Sequence, residues 1–362
     1  MPFAESMGKR GKTTGSSADI VTRLQPSTSR MAANRNIDAA TGLLSGCSEL
    51  YRSSNNTYRF REQDATMTTH FWPDGARLAV TVSMQFEAGG QPISGAGGPI
   101  TEPILPGYPD LGQNSFYEYG AREGVPRILD LLDKHSIPMT SFMIGDAVRR
   151  HPDIAAEIVA RGHEAGAHGR RWERQYQLSR ADEAAWIADS VTAIEEVTGT
   201  RPTGYNNYWI RPGINTLEIL QEQGFRYHID DLSADEPFLQ RINGEPFATV
   251  PYSVHLNDIA SFDFPGFSPA DYEQQLVDEF DQLYAEGAQR RTMMVIGLHD
   301  RLSGHASRVR VLDRVFTRLR ERGDVWWARK DQIAQWTLDH PDTATWVDRD
   351  PAPISGLPGR SH

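Results

Sequence analysis

Ile137-Pro138-Met139-Thr140-Ser141-Phe142-Met143-Ile144 is followed by Asp146 to Ala160 and then by Gly162-His163-Glu164-Ala165-Gly166-Ala167-His168. The first stretch is a short apolar run, too short for a helix and of the right length for a buried strand. The second repeats apolar residues at helical spacing and is closed by Gly162, the residue that most easily ends a helix. The third is a short strand of small residues that ends on a histidine. Strand, helix and strand in this order are the unit of a parallel α/β fold.

The alternation extends both ways. Upstream, Trp72-Pro73-Asp74-Gly75 is a turn signal, and Leu78 to Met84 follows as a buried strand. Gly89 to Gly112 is a long Gly/Pro loop, and Val125, Ile128, Leu129 and Leu132 repeat at helical spacing. Downstream, Ser179 with Asp182 caps a helix to Thr198-Gly199, followed by a strand at Thr203–Tyr208 and a helix at Asn215–Gln223. Strands are predicted at Phe225–Ile229 and Thr249–Val254, and Ser268-Pro269 opens a long helix to Glu286. Thr292–Leu298 is a strongly apolar strand; Ser307–Arg322, Val325–Ala328 and Asp331–Trp336 read as helix, strand and helix. Such strand–helix units, six or seven over about 270 residues, fit a parallel barrel or a doubly wound sheet. No dinucleotide glycine fingerprint follows the first strand.

The formal charge of the 362-residue chain is −11, which argues against nucleic acid as the partner. A single cysteine, Cys47, leaves no internal disulfide and no thiolate metal cage, so any metal would need imidazole and carboxylate ligands. No run of 18 apolar residues suggests a membrane span, and the cytoplasm is the default location. Leu44-Ser45-Gly46-Cys47 looks like a lipoprotein cleavage box, but Asn34-Arg35-Asn36-Ile37-Asp38 before it is too polar for a signal peptide. Residues 1–66 read as a disordered leader, 67–345 as a catalytic barrel and 346–362 as a loose tail.

In a parallel α/β fold, working residues gather where strands end. That rule selects Gln85, Glu87, His168, Tyr205, Asn206, Asn207, Asp230, Asp231, His255, Asn257, Asp258, His299 and Asp300. Taken singly, a histidine at a strand end is more often structural, and Asp230-Asp231 or Asn257-Asp258 would serve equally as turn residues. Convergence is the stronger signal: Glu87, His168 and His299 come from three separate strand ends and would face one mouth. Glu87 lies between Phe86 and Ala88, where desolvation would raise its pKa toward the range useful for proton transfer. The two imidazoles would polarise a carbonyl or protonate a leaving nitrogen.

Several stretches resemble the polysaccharide deacetylase superfamily (carbohydrate esterase family 4-like, NodB-homology domain). They are Val82-Ser83-Met84-Gln85-Phe86-Glu87, Tyr119-Gly120-Ala121-Arg122-Glu123-Gly124, Gly162 to Gly169, Thr203-Gly204-Tyr205 and Leu298-His299. The resemblance runs from about Trp72 to Trp336 and implies a distorted (β/α)7 TIM-like barrel and hydrolysis of non-peptide C–N bonds. Metal-dependent members use an Asp base, an Asp ligand and two histidines four residues apart. Here those positions hold Gln85, Glu87, His168 and Trp172. The implied metal ligands are therefore Glu87 and His168, with His299 or His255 as substitutes, and a zinc site wants about three protein ligands plus water. The first expectation is that no cofactor is required, with a divalent zinc ion as the alternative.

Glu87-Ala88-Gly89-Gly90, His168-Gly169-Arg170-Arg171-Trp172, Asn257-Asp258 and Leu298 to Gly304 look like the allantoinase and cyclic-imide-hydrolase branch, which acts on small ring amides or ureides. That resemblance implies Glu87, His168 and His299 as catalytic residues. Gln85, Arg122, Trp172, Tyr205, Asn207, Asp258 and Arg301 would contact substrate. The expected function is hydrolysis of a small cyclic amide, imide or ureide. The alternatives are a metal-dependent N-deacetylase of amino-sugar polymers and an inactive carbohydrate-binding barrel. The expected partner is a small-molecule substrate, with no nucleic acid or membrane, and a homo-oligomer is left open.

Overall fold

The structure, a computed structural model, describes residues 71–263 and 266–348. The expected leader, and the expected tail beyond residue 348, lie outside the described residues.

Strand β1 (Leu78–Phe86) is buried along its whole length. Its side chains alternate between two environments because successive residues of a strand point to opposite faces. Leu78, Val80, Val82, Met84 and Phe86 pack into the layer shared with the helices. Ala79 belongs to the apolar cluster on the other face, and Thr81, Ser83 and Gln85 share its side of the strand. Parallel neighbours flank β1: β2 (Met139–Met143), where Gln85 pairs Phe142, and β8 (Met293–His299), where Gln85 pairs His299. From β2 the parallel ladder continues through β3 (Glu164–Ala167), β4 (Gly204–Tyr205), β5 (Tyr227–His228) and β7 (Glu245–Thr249). Between β7 and β8 the described pairing is reduced to one bridge, Asn257 to Gly297, and one bond from Met293 N to Asp235 O. The result is an α/β fold with a mostly parallel sheet.

Helices connect these strands: α1 (Leu111–Tyr119), a π-helical turn at Gly120–Gly124, α2 (Val125–His135), α3 (Gly145–Arg150), α4 (Pro152–Ala160), α5 (Arg180–Thr198) and α6 (Thr216–Glu222). After β7 come α7 (Asp258–Phe262) and α8 (Pro269–Glu286). After β8 come α9 (Asp300–Ser303), α10 (Ala306–Leu319), strand β9 (Val325–Trp327) and α11 (Lys330–Asp339). The expected caps form: Ser179 Oγ accepts from Asp182 N, and Ser268 builds a reciprocal capping box with Asp271.

Three expectations are corrected. The helix read as Asp146–Ala160 is two, because Pro152 lacks the amide proton a continuous helix needs and His151 before it leaves helical geometry. The strand placed at Thr249–Val254 lies earlier, as the second arm of an antiparallel hairpin formed by β6 (Phe238–Ile242) and β7 around Asn243-Gly244. That turn has positive φ at both residues, the geometry a two-residue hairpin needs. Trp346, expected in the tail, pairs Leu239 in a short strand β10 (Thr345–Trp346). No helix of the described residues is long and apolar enough to cross a membrane.

Candidate active site

The C-terminal ends of β1, β3 and β8 bring Glu87, His168 and His299 into one buried cluster, each 5% exposed or less. Immediately after β1 the chain turns, with Gly90 N donating to Glu87 O. Asp300, at the start of α9, fixes that turn: its Oδ2 accepts from Glu87 N at 2.9 Å and Ala88 N at 3.2 Å. Burial pushes the Asp300 carboxyl up to about 6, against the pull of Arg301. The π-helical turn makes room for this arrangement. A side chain at Gly120 would meet the Asp300 carboxyl at 2.7 Å, and one at Gly124 would fall on the Asp300 carbonyl oxygen.

The Glu87 side chain is closely surrounded. Arg301 Nη1 donates to Oε2 at 2.5 Å, Trp172 Nε1 donates to Oε1 at 3.2 Å, and His168 Nε2 lies 3.3 Å from Oε1. Burial would raise the carboxyl, as expected from the sequence, but the charges of Arg301, His168 and His299 outweigh it. Glu87 is held well below the usual carboxylate range. It is therefore a permanent anion near neutral pH and not a reservoir of protons.

The two histidines are oriented differently. His168 Nδ1 is 2.8 Å from Asn206 O, which fixes the proton on Nδ1 and turns Nε2 toward Glu87. His299 Nδ1 is 2.6 Å from Asp258 Oδ1, while His299 N and Ser303 Oγ both donate to Asp258 Oδ2 at 2.7 Å. Burial would lower the His299 pKa, but Asp258 and Glu87 raise it above its ordinary value. The Asp258–His299 pair leaves Nε2 of His299 as the free nitrogen, the arrangement of an imidazole poised to take and return a proton.

An aromatic wall closes over the cluster. Trp172 meets Tyr117 edge-on at 5.2 Å and Tyr208 at 5.6 Å, and the Arg301 guanidinium lies over the Tyr117 and Trp172 rings.

Of the residues expected to contact substrate, Gln85, Trp172, Asp258 and Arg301 lie in or directly against the cluster. Asn207 is buried beside it, its amide nitrogen bonded to Asp230 Oδ2 at 2.7 Å and its Oδ1 without a partner. Two do not converge. Tyr205 points to the other side of β4, into the helical layer, where Gln175 Nε2 donates to its hydroxyl at 2.5 Å. A one-residue offset along a strand reverses the facing side, which is why the strand-end rule misplaced it. Arg122 is exposed on the π-helical turn, with no bond to the cluster among the described residues. Asp300 as a clamp and Tyr117 and Tyr208 as a wall were not foreseen; Asp300's place beside His299 was the signal available for the first, and none existed for the tyrosines.

A zinc ion of the kind the resemblance implies would have to take Glu87 and His168. The donor set does not fit it. Both Glu87 oxygens are occupied, one by a fixed guanidinium charge, and the position four residues after His168 presents an indole N–H, a donor that cannot ligate. Among the described residues no group of three or more His, Cys, Asp or Glu is clustered to hold a metal.

The profile of the family "Polysaccharide deacetylase" matches residues 115–228. A Schizosaccharomyces pombe protein named as a polysaccharide deacetylase is 30% identical over 303 residues, covering 75% of this chain and 94% of its own. A Helicobacter pylori peptidoglycan deacetylase is 26% identical over 249 residues, covering 60% and 84%. The crystal structure of Puue allantoinase is similar with a TM-score of 0.68 at 34% identity, covering 75% of this chain and 93% of that one.

Proposed function

The chain belongs to the polysaccharide deacetylase family and is a hydrolase of C–N bonds, and from that premise we propose that its substrate is a small cyclic amide or ureide, opened without a resident metal. The observation that carries this reading is the enclosure of Glu87 by Arg301, Trp172 and His168 beneath the Tyr117–Trp172–Tyr208 wall. A carboxylate so enclosed suits a compact polar ring more than a polymer lying in an open groove. The likeness to an allantoinase structure supports the same substrate class.

The chemistry follows from the side chains. Glu87, always ionised, accepts a hydrogen bond from the attacking water and orients it. Nε2 of His299, in its neutral form, takes the water proton as the oxygen adds to the ring carbonyl. The same nitrogen returns that proton to the leaving ring nitrogen as the C–N bond breaks, so water is consumed and an open-chain acid is formed. Arg301 supplies positive charge beside the developing oxyanion, and His168 lines the same cluster.

The test is hydrolysis of allantoin, hydantoin, succinimide, dihydrouracil and N-acetyl chitooligosaccharide, each with chelator and with added Zn²⁺, beside Glu87→Ala. Ring opening that survives chelation and is lost in the variant is expected. Zn²⁺-dependent acetate release from the oligosaccharide, the activity class that the Helicobacter pylori relative's name suggests, would overturn both the ring and the metal-free reading.

A further inference from the structure

His168 and Asp230 stand on either side of β4, one at the end of β3 and the other just beyond β5. The ladder holds the three chains together there: Asn206 N donates to Ala167 O at 3.0 Å, and Ile229 N donates to Tyr205 O at 3.2 Å. This places the peptide that joins Asn206 to Asn207 between the imidazole and the carboxylate. Both ends of that peptide are used. Its carbonyl, Asn206 O, is 2.8 Å from His168 Nδ1, and its N–H, on Asn207, donates to Asp230 Oδ1 at 2.9 Å. Two side-chain amides complete the hold on the carboxylate. Asn206 Nδ2 donates to Oδ1 at 2.8 Å and Asn207 Nδ2 to Oδ2 at 2.7 Å. The Asp230 side chain is 0% exposed, so these bonds act where solvent screens little. A backbone carbonyl can only accept, so the proton of the His168 link is on Nδ1, and Nε2 is left facing Glu87 Oε1 at 3.3 Å. The turn after β5 is served by the next residue, Asp231, whose Oδ1 accepts from Ser233 N at 3.0 Å. Both Asp230 oxygens are directed at the end of β4 instead.

We propose that Asp230 is a positioning residue for His168 that acts through one peptide group: by accepting the Asn207 N–H it polarises the Asn206 carbonyl, which holds the imidazole with a proton on Nδ1 and with Nε2 against Glu87. Hydrogen bonds in series polarise one another, so a carboxylate on the N–H strengthens the bond that the carbonyl accepts. The two histidines of the site then share one plan with one difference. His299 Nδ1 meets the Asp258 carboxylate directly, whereas a peptide separates His168 from Asp230. The direct pair suits an imidazole that exchanges a proton; the indirect one fixes a ring in place. This rests on the C–N hydrolase reading in which Glu87 orients water, because His168 flanks that carboxylate, but not on the ring substrate.

The experiment compares wild type, Asp230→Asn, Asn206→Ala, His168→Gln and the Asp230→Asn/His168→Gln double variant, by kinetics on whichever panel member the wild type turns over and by NMR of ¹⁵N-histidine-labelled protein. The wild-type resonance that disappears in His168→Gln should be a protonated Nδ1 in slow exchange with solvent. Asp230→Asn is expected to move that proton upfield, quicken its exchange and lower kcat roughly 10–100-fold, with a much smaller change in KM. Asn206→Ala removes one donor to Asp230 but keeps the peptide, so the Nδ1 proton should stay in place. The double variant should be no slower than His168→Gln alone, since Asp230 works only through the ring. A wild-type His168 with Nδ1 unprotonated would overturn the proposal. So would an Asp230→Asn protein whose resonance and kcat match wild type while only Tm falls, or a further loss of kcat when Asp230→Asn is added to His168→Gln. The wild-type and Asn206→Ala spectra judge the link even where Asp230→Asn does not fold: loss of the Nδ1 proton in Asn206→Ala would show that the side-chain amides, and not the peptide, hold the ring. Should the wild type deacetylate the oligosaccharide and open no ring, the substrate reading fails while the spectra and the kcat ratios still judge Asp230.

Discussion

Between the Arg301 guanidinium and the His168 imidazole, the Glu87 carboxylate keeps its charge although it is almost entirely buried. The wild-type sign is clear: a folded pKa below the ordinary 4.5 contributes stability that is complete above that pH and is lost as pH falls toward the depressed folded value. Arg301→Met removes the largest opposing charge and leaves the anion buried with only neutral or titrating neighbours. The expected cost is about 3–5 kcal/mol of unfolding free energy at neutral pH, because a buried charge loses its partner. Burial then dominates and raises Glu87, so the variant should lose stability as pH rises from about 5 to about 8, a range over which the wild-type Glu87 contribution is flat. Denaturant unfolding across that range checks both size and sign. A variant with unchanged stability and a flat profile would show that Arg301 is not what keeps Glu87 ionised.

Single elements matter here through how closely they pack. The π-helical turn Gly120–Gly124 approaches the start of α9 so tightly that a methyl group at Gly124 has nowhere to go except onto the Asp300 carbonyl. Gly124→Ala is expected to shift α9, loosen the Asp300 bonds to Glu87 N and Ala88 N, and reduce kcat by at least about tenfold, with about 1–3 kcal/mol lost to overpacking. Gly162→Ala is the matched control. Gly162 has φ +87° with open space around it, so alanine there costs about 1–2 kcal/mol of backbone strain and should leave kcat unchanged. Equal kinetic losses in the two variants would mean that the turn does not position the site. The glycines were legible in the sequence as part of a family resemblance. Their reason was not, since nothing local to residues 120–124 indicates that Asp300 lies against them.

Across the molecule, the strand faces turned away from the helical layer hold polar groups as well as apolar ones. Glu164 on β3 accepts from Thr140 Oγ1 at 2.6 Å and from Tyr227 Oη at 2.8 Å, and burial with nearby Asp331 raises it to about 7. Lys330, fully buried at the start of α11, is lowered to about 7 by the same desolvation. A raised carboxyl contributes stability that is fully present below the unfolded value near 4.5 and is lost as pH rises through about 7. Glu164→Gln removes that titration. The Tm of the variant relative to wild type should therefore climb between pH 5 and pH 8, measured by calorimetry at both; a constant difference would show that Glu164 does not titrate there. What the sequence by itself determined was the alternation of strand and helix over most of the chain, the caps at Ser179 and Ser268, and the three strand ends carrying Glu87, His168 and His299, because these follow from local periodicity and local hydrogen bonding. Only the tertiary structure decided that Arg301 and Trp172 close on Glu87, that Asp258 serves His299, that Tyr205 faces away, and that burial fails to raise Glu87. Each of these depends on charges and contacts between residues dozens to hundreds of positions apart, and no window of sequence contains both partners.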